Sequence, residues 1–491
     1  MSAPSTATPR QIVIIGGGYS GVSAALQLLR AVTPVPAIRI VEPRAQLGAG
    51  LAYATTDPDH RLNGTIDIHP ADPHNGTQLP QWCESTALLA ADPDARAADG
   101  RVFIRRRDFA AFLAHAAGLH PAAPHSGAGI GHVRATAFDI ALAGNRAAVR
   151  LDDGTTLAAD FVILATGNAP PRLPAPFAGT VDTHPGVIAD PLSTTRVREI
   201  APNARVLVLG SGLTALDAIS TLLRAGHAGP ITALSRRGLR PRPYRPLPTQ
   251  PDTTPPKGLL ERVLGPVPPF VLAAGTPPTA RSLLRALRQR IDAIAATGEA
   301  WFGAFDEMRD ALWRFWPAMA VAEKKRVLRR LRPWYDAHRF RAPPQNAAMV
   351  AAAEAAGLVR YRTARVAAVR SDDNAGPILV TWTERGQATA TGHAFDAVIN
   401  CTGLDPAAGA RANPVLGAMM QAGLLRIDAS GIGFEVDADC RPVGRDGSTH
   451  DRLRLIGPPT AGTFGDPLGA AFIAAQIARI MPSMVESLNR S

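Results

Sequence analysis

A chain of 491 residues is longer than one hydrophobic core normally serves, so two or three domains are expected. With 46% hydrophobic and 19% charged residues the composition is globular, which excludes disordered and membrane-embedded classes. The formal charge of +11 raises nucleic acid as a partner. No helix-turn-helix, zinc-ligand spacing or aromatic-plus-basic motif accompanies it, so no nucleic acid is expected and anionic small molecules explain the charge more economically.

Three widely spaced cysteines, Cys83, Cys401 and Cys440, argue against a disulfide framework and against a Cys-x-x-Cys dithiol centre. The first eleven residues lack the basic-then-apolar pattern of a signal peptide, and no run reaches the roughly eighteen apolar residues that cross a bilayer. A cytoplasmic protein without a membrane partner is expected.

Along the chain, Ile12 to Ile15 has the length of a strand buried on both faces. Gly16-Gly17-Gly18-Tyr19-Ser20-Gly21 follows at once, then a helical pattern from Val22 to Arg30. Gly16 permits the tight turn, Gly18 lets the backbone approach a pyrophosphate, and Gly21 lets helix and strand pack closely. The helix start offers free N–H groups and a positive dipole end. A second apolar segment, Ile38 to Val41, ends in Glu42, whose carboxylate suits a ribose diol.

Pro43 and Arg44 open a glycine-rich loop through Gly50, Leu51 and Ala52 that could wrap the first nucleotide, with Arg44 near its adenosine or pyrophosphate. The segment from His60 to His69 is rich in hydrogen-bonding side chains and reads as either an active-site lining or a surface loop. Helices are expected near 82–90 and from Phe109 to about Gly118. Residues 119–132 read as a loop, and His120, His125 and His132 lack metal-ligand spacing, so no metal site is assigned. Val133 to Leu157 alternates, with turns at 143–145 and 152–154, and predicts a small antiparallel sheet. A buried strand then ends in Ala165-Thr166-Gly167.

A glycine loop with its glutamate, followed by a strand ending in Ala-Thr-Gly, resembles the two-dinucleotide-binding flavoproteins. The resemblance implies an FAD domain that passes the chain to an NAD(P)H domain. A second set follows: a strand from Ala204 to Leu209, Gly210-Ser211-Gly212-Leu213-Thr214-Ala215, a helix to about Ala225, and a strand from Ile231 to Leu234. That strand ends in Ser235-Arg236-Arg237, where a hydroxyl and two guanidiniums suit a 2′-phosphate. FAD at the first site and NADPH at the second are therefore expected, the alternative for Arg236 and Arg237 being a solvated basic turn.

Residues 238–280 are proline-rich and read as extended, and Thr279 to Leu331 as helical. This helical insert could pack on the flavin, cover a substrate or mediate contacts in a homo-oligomer. Trp301, Trp313, Trp316 and Trp334 read as core or interface. His338, Arg339 and Arg341 could bind a substrate carboxylate, or simply end an arginine-rich helix. Asn400-Cys401-Thr402-Gly403 closes a strand like the first Ala-Thr-Gly, and Leu453 to Ile456 precedes a glycine-rich turn and a helix from Leu468 to Ile480. Gly465 and Asp466 lie on that turn, Asp466 being a flavin ribityl ligand or a helix N-cap.

The resulting expectation is an α/β fold with two Rossmann-like domains and an α-helical insert. Residues 1–190 and 396–491 would form the FAD domain, and 200–395 the NADPH domain, with the insert at about 255–345. The chain resembles bacterial FAD/NAD(P)-binding proteins distantly similar to N-hydroxylating and Baeyer–Villiger-type monooxygenases. The linker pattern that ends in His184 departs from theirs by one residue, leaving His184 as a hinge or a solvated loop residue. The resemblance implies NADPH reducing the flavin, molecular oxygen adding at C4a, and hydroxylation of an amine or amino-acid nitrogen, with Asn63 near the flavin. A reductase serving a quinone or protein partner, and a non-catalytic redox sensor, are the alternatives.

Overall fold

The computed structural model describes residues 9–123, 127–144, 146–168, 170–244, 258–297, 301–371, 376–403, 412–466 and 468–490. His125, Asn145 in the expected turn, and 245–257 of the proline-rich run lie outside the described residues.

The run Gln11–Ile15 forms β1, and Ile12 to Ile14 are at most 1% exposed, which is why the pattern there is unbroken rather than alternating. Helix α1 (Tyr19–Ala31) crosses over to β2 (Ala37–Val41), which pairs parallel with β1. The helices α2 (Gln78–Ser85), α3 (Leu88–Ala91) and α4 (Arg106–Gly118) follow. Next comes β3 (Gly129–Val133), in a stretch whose glycines read as loop; it pairs parallel with β2 instead. The antiparallel sheet therefore starts after Val133, as β4 (Ala137–Ala143), β5 (Arg146–Leu151) and β6 (Thr156–Ala159). Strand β7 (Phe161–Leu164) returns to pair with β1.

The second sheet opens with β8 (Val187–Ile188), α5 (Thr194–Arg198), β9 (Val206–Leu209), α6 (Leu213–Arg224) and β10 (Ile231–Ser235). The insert supplies α7 (Leu259–Leu264), α8 (Pro269–Ala273), α9 (Ala280–Ala296), α10 (Phe302–Phe315), α11 (Val321–Arg326) and α12 (Arg332–Arg339), with a π-helical turn, Val327–Leu331, between the last two. Helix α13 (Pro344–Ala355) and strands β11 (Val359–Arg370), β12 (Ile378–Glu384), β13 (Thr391–Phe395) and β14 (Ala397–Asn400) complete this unit. Its strand order is β13-β12-β11-β10-β9-β14-β8. Because β14 pairs parallel with both β9 and β8, it is an interior strand of the second sheet. The chain thus leaves that sheet after Asn400 rather than at the expected boundary of 396.

The first sheet is finished by β15 (Leu453–Leu455) in the order β15-β7-β1-β2-β3, all parallel. Helix α14 (Pro414–Gln421) precedes that strand, and α15 (Ala461–Phe464) and α16 (Ala470–Asn489) follow it. Helix α16 packs along α1 and runs nine residues past its expected end, through Pro482. Proline removes one main-chain bond, but buried Met481, Met484 and Leu488 and bonds from Arg454 to Ser483 and Ser487 hold the last turns.

The insert has its own core around Leu283, Ala311, Phe315 and Trp316. It sits on the first unit: Trp316 Nε1 donates to the Gly462 carbonyl at 2.9 Å, and Leu312 lies against Gly465. Trp334, by contrast, is half exposed.

Candidate functional site: a glycine turn built twice

The two glycine loops are close copies. Gly16 has φ +108° and Gly210 φ +114°, which L side chains rarely adopt. A Cβ would lie 2.4 Å from the Ala165 carbonyl oxygen in the first and 2.3 Å from that of Cys401 in the second. The Gly16 N–H donates to the Val41 carbonyl and the Gly210 N–H to that of Leu234. Gly18 and Gly212 precede α1 and α6 with nearly the same backbone angles; neither helix has a side-chain cap or an acid in its first turn. Both helix ends are thus free to receive an anion. Gly21 is tied to the first turn by contact, since a Cβ there would sit 2.0 Å from the Gly16 oxygen.

The surroundings of the copies differ. Tyr19 and Ser20 are buried, and the Tyr19 hydroxyl donates to the Pro70 carbonyl at 2.6 Å. Gly18 faces Gly50 closely, while Leu51 is half-buried and Ala52 exposed. Gly212 is exposed with open space before it, Ser211 is buried, and Leu213 and Thr214 are half-buried.

The strand ends carry opposite chemistry. Glu42 is 4% exposed; its Oε2 accepts from the Gly17 N–H at 2.9 Å, and its Oε1 from the Arg44 N–H and guanidinium. Arg44 is therefore engaged with Glu42, and Pro43 between them is exposed. At the matching place of the copy, Ser235 Oγ accepts from the Gly238 N–H, and Arg236 and Arg237 are exposed. Arg237 donates to the Arg329 carbonyl at 2.6 Å, inside the π-helical turn.

Beside the Gly16 turn, the Thr166 hydroxyl is buried without a protein partner. Gly167 and Gly403 both have positive φ and open space where a side chain would be, and Thr402 donates to Asn400 Oδ1. A stranded hydroxyl, two open glycines and two uncapped helices fit dinucleotide cofactors. On the C-terminal turn, Asp466 lies 2.8 Å from Arg339 Nε with its side chain 1% exposed. Neither carboxylate oxygen has a well-aligned hydrogen bond, and α16 is capped by Gly469. The N-cap role for Asp466 is therefore not realised.

Of the expected substrate residues, the two arginines are buried and His338 is half-buried. Arg339 pairs with Asp466, and Arg341 pairs with Asp306 and lies over Phe302 and Tyr244. The His338 ring stacks on Phe305 at 4.8 Å and its Nδ1 bonds to the Trp334 carbonyl. With both guanidiniums paired to acids, neither arginine is a free positive charge for a substrate carboxylate. His184 is not solvated: it is 6% exposed, accepts from the Gly186 N–H and donates to the Gly376 carbonyl. His132, exposed as expected, donates to the Glu42 carbonyl.

Asp57, Asp59 and His60 act in docking the two units. Asp57 pairs with Arg198 and accepts from Thr221, Asp59 pairs with Arg224, and His60 Nε2 bonds to Thr221. Arg106 on α4 reaches Asp217 on α6 at 2.6 Å. Arg61 instead meets Asp92 within the first unit. Asn63 stands next to this seam, half-buried, its carbonyl accepting from the Tyr244 hydroxyl at 2.9 Å. The density of charge in Asp57-Pro58-Asp59-His60-Arg61 was the available sign of this seam. Burial pushes the Cys83 thiol up to about 11 and the Cys440 thiol up to about 12, and raises Cys401 as well, so none is a ready thiolate. Among the described residues no helix is long and apolar enough to cross a membrane.

Comparison with known proteins agrees with this geometry. Residues 13–169 match the FAD-NAD(P)-binding family model. A 205-residue stretch is 27% identical to the NADH-dependent phenylglyoxylate dehydrogenase subunit epsilon of Aromatoleum evansii, covering 40% of this chain and 43% of that protein. The chain thus spans less than half the length of that relative. The ornithine N-hydroxylase of Kutzneria sp. 744, solved with reduced FAD, NADP⁺ and L-ornithine, superposes with a TM-score of 0.61 at 15% identity, over 98% of this chain and 99% of that one. The FAD-bound cadaverine monooxygenase of Erwinia amylovora gives 0.62 at 12% identity, over 98% and 95%. The chain has the fold of the FAD- and NAD(P)H-binding oxidoreductases, structurally close to the N-hydroxylating flavin monooxygenases.

Proposed function

We propose that the protein is an NADPH-consuming, FAD-dependent monooxygenase that hydroxylates a nitrogen of an amine or amino acid. The observation that carries the cofactor assignment is one turn built twice with opposite chemistry at the strand that follows: Glu42 in one copy, Ser235-Arg236-Arg237 in the other. A carboxylate accepts from a ribose diol and repels a 2′-phosphate, whereas guanidiniums attract it.

When bound, FAD supplies hydride acceptance and oxygen activation. The chain's own residues bind, orient and exclude water. The uncapped starts of α1 and α6 hold pyrophosphates, and the Thr166 hydroxyl is free to bond to the first cofactor. The positive dipole end at the start of α16 would stabilise negative charge on a bound flavin. The insert, clamped by Trp316 on Gly462 and Leu312 on Gly465, shields the turn ahead of that helix from water. Asn63 is the candidate polar side chain for the reacting compartment. Overall, NADPH, a proton, oxygen and the amine would yield NADP⁺, water and the N-hydroxylated product.

A second reading, a dehydrogenase passing electrons to a quinone or protein, is supported by the match to a dehydrogenase subunit. The two separate on isotopic oxygen. Turnover of amines with NADPH under ¹⁸O₂ is expected to put one labelled atom into the product. Acceptor reduction without oxygen, and no label in any amine tested, would overturn the monooxygenase reading in favour of the dehydrogenase.

A further inference from the structure

Four arginines from two distant parts of the chain gather where β10 ends. Arg236 and Arg237 follow β10, and Arg237 donates across 92 positions to the carbonyl of Arg329. Arg329 and Arg330 lie in the π-helical turn Val327–Leu331, and all four residues are exposed. Among the described residues, none of the four has an acidic partner within ion-pair distance. Two nearby arginines do: Arg240 pairs with Glu354, and Arg326 pairs with Glu323. Arg237 and Arg329 meet there directly, with Arg236 and Arg330 next to them in the chain.

Like charges brought together without a counter-charge repel, and the arrangement is relieved by an anion. With Arg237 holding the Arg329 carbonyl, two adjacent pairs of guanidinium side chains come from neighbouring backbone, and guanidinium forks suit the oxygens of a phosphate monoester dianion. A π-helical turn is an uncommon local geometry, often found where a helix has been adjusted for a site. Here it presents the carbonyl that Arg237 grips. We infer that the insert supplies the second wall of the 2′-phosphate site, with Arg329 and Arg330 as specificity-determining residues for NADPH over NADH. This rests on the reading of the second turn as the NADPH site. It also assigns the insert a role in cofactor choice besides covering the flavin turn.

The test is calorimetric titration of the FAD-loaded full chain with adenosine 2′,5′-bisphosphate and, separately, with adenosine 5′-monophosphate. The wild type is expected to prefer the bisphosphate. Arg329→Ala/Arg330→Ala should lose about tenfold or more of that preference with monophosphate binding unchanged, a loss of about 1.4 kcal/mol. Arg281→Ala, removing an exposed arginine elsewhere on the insert, should leave the preference intact, and Arg329→Lys/Arg330→Lys should restore part of it. A wild type that prefers the bisphosphate and a double alanine variant that keeps the full preference would overturn the inference while sparing the NADPH reading. A wild type without any preference would overturn both.

Discussion

Arg106 on α4 donates to Asp217 Oδ2 on α6 at 2.6 Å, joining the units built on the two sheets by an ion pair that is largely out of water. The same seam carries Asp57 with Arg198, Asp59 with Arg224, and the Asn346 amide on the Asp59 carbonyl. Polar contacts therefore help to hold the two glycine turns in their relative placement.

Removing one partner of this pair leaves the other buried and uncompensated, which costs about 3 kcal/mol. Asp217→Ala should lower the thermal midpoint and hasten proteolysis between the units. Arg106→Met/Asp217→Leu, which removes both charges, should recover most of the loss. Equal melting of the single variant and the wild type would show that the pair does not hold the units together.

The copied turns predict separable defects. Alanine at Gly16 or Gly210 must relieve an approach of 2.4 or 2.3 Å to a carbonyl oxygen while holding a positive φ, costing about 3 kcal/mol locally. Gly16→Ala should purify with little FAD, read from the flavin absorbance per protein. Gly210→Ala should keep its FAD and lose reduction by NADPH under anaerobic mixing. Loss of FAD from both variants alike would contradict the assignment of one nucleotide to each turn.

Both turns were legible in the sequence because each is local: strand, glycines, helix and the next strand end fall within about thirty residues. Strand β3 was not, because its glycines answer to distant atoms. A Cβ on Gly131 would press on the Arg39 guanidinium, and one on Gly129 on the Pro121 carbonyl oxygen, so the residues that look like loop are what lets the strand fit beside β2. The partners of Arg339 and Arg341 were hidden for the same reason. Asp466 is 127 positions away, and Asp306 lies on another helix of the insert. A cluster of cations in sequence says nothing about acids brought in by the fold.

Stability should fall as pH drops below 7. Burial lowers the pKa of His60, against the opposing pull of the Asp217 carboxylate, and burial likewise lowers that of His69. The unfolded chain takes up these protons near pH 6.5, whereas the folded chain does not until lower pH. In that window the unfolded state binds more protons, so acidification favours it, by up to about 1.4 kcal/mol per pH unit for each histidine. The thermal midpoint should therefore decline from pH 7.5 to 5.5, and less steeply in His60→Gln, whose amide can still meet Thr221. Parallel declines in the two proteins would remove His60 from the explanation.

Arg339 distinguishes a substrate role from a structural one. A carboxylate-binding arginine, when cut to alanine, raises the KM for acidic substrates and leaves the cofactor in place. In the structure its Nε lies 2.8 Å from Asp466, its guanidinium stacks on Phe340 at 4.2 Å, and Asp466 stands just ahead of α16. Arg339→Ala would strand a carboxylate that is 1% exposed at its side chain, a loss of about 3 kcal/mol centred on the C-terminal turn of the first unit. The expected result is weaker FAD retention and a lower melting point, with no selective loss of acidic over neutral amines. Arg339→Ala/Asp466→Asn should melt higher than Arg339→Ala, because the uncompensated charge is gone. Unchanged FAD content together with a KM rise confined to carboxylate-bearing amines would return Arg339 to the substrate.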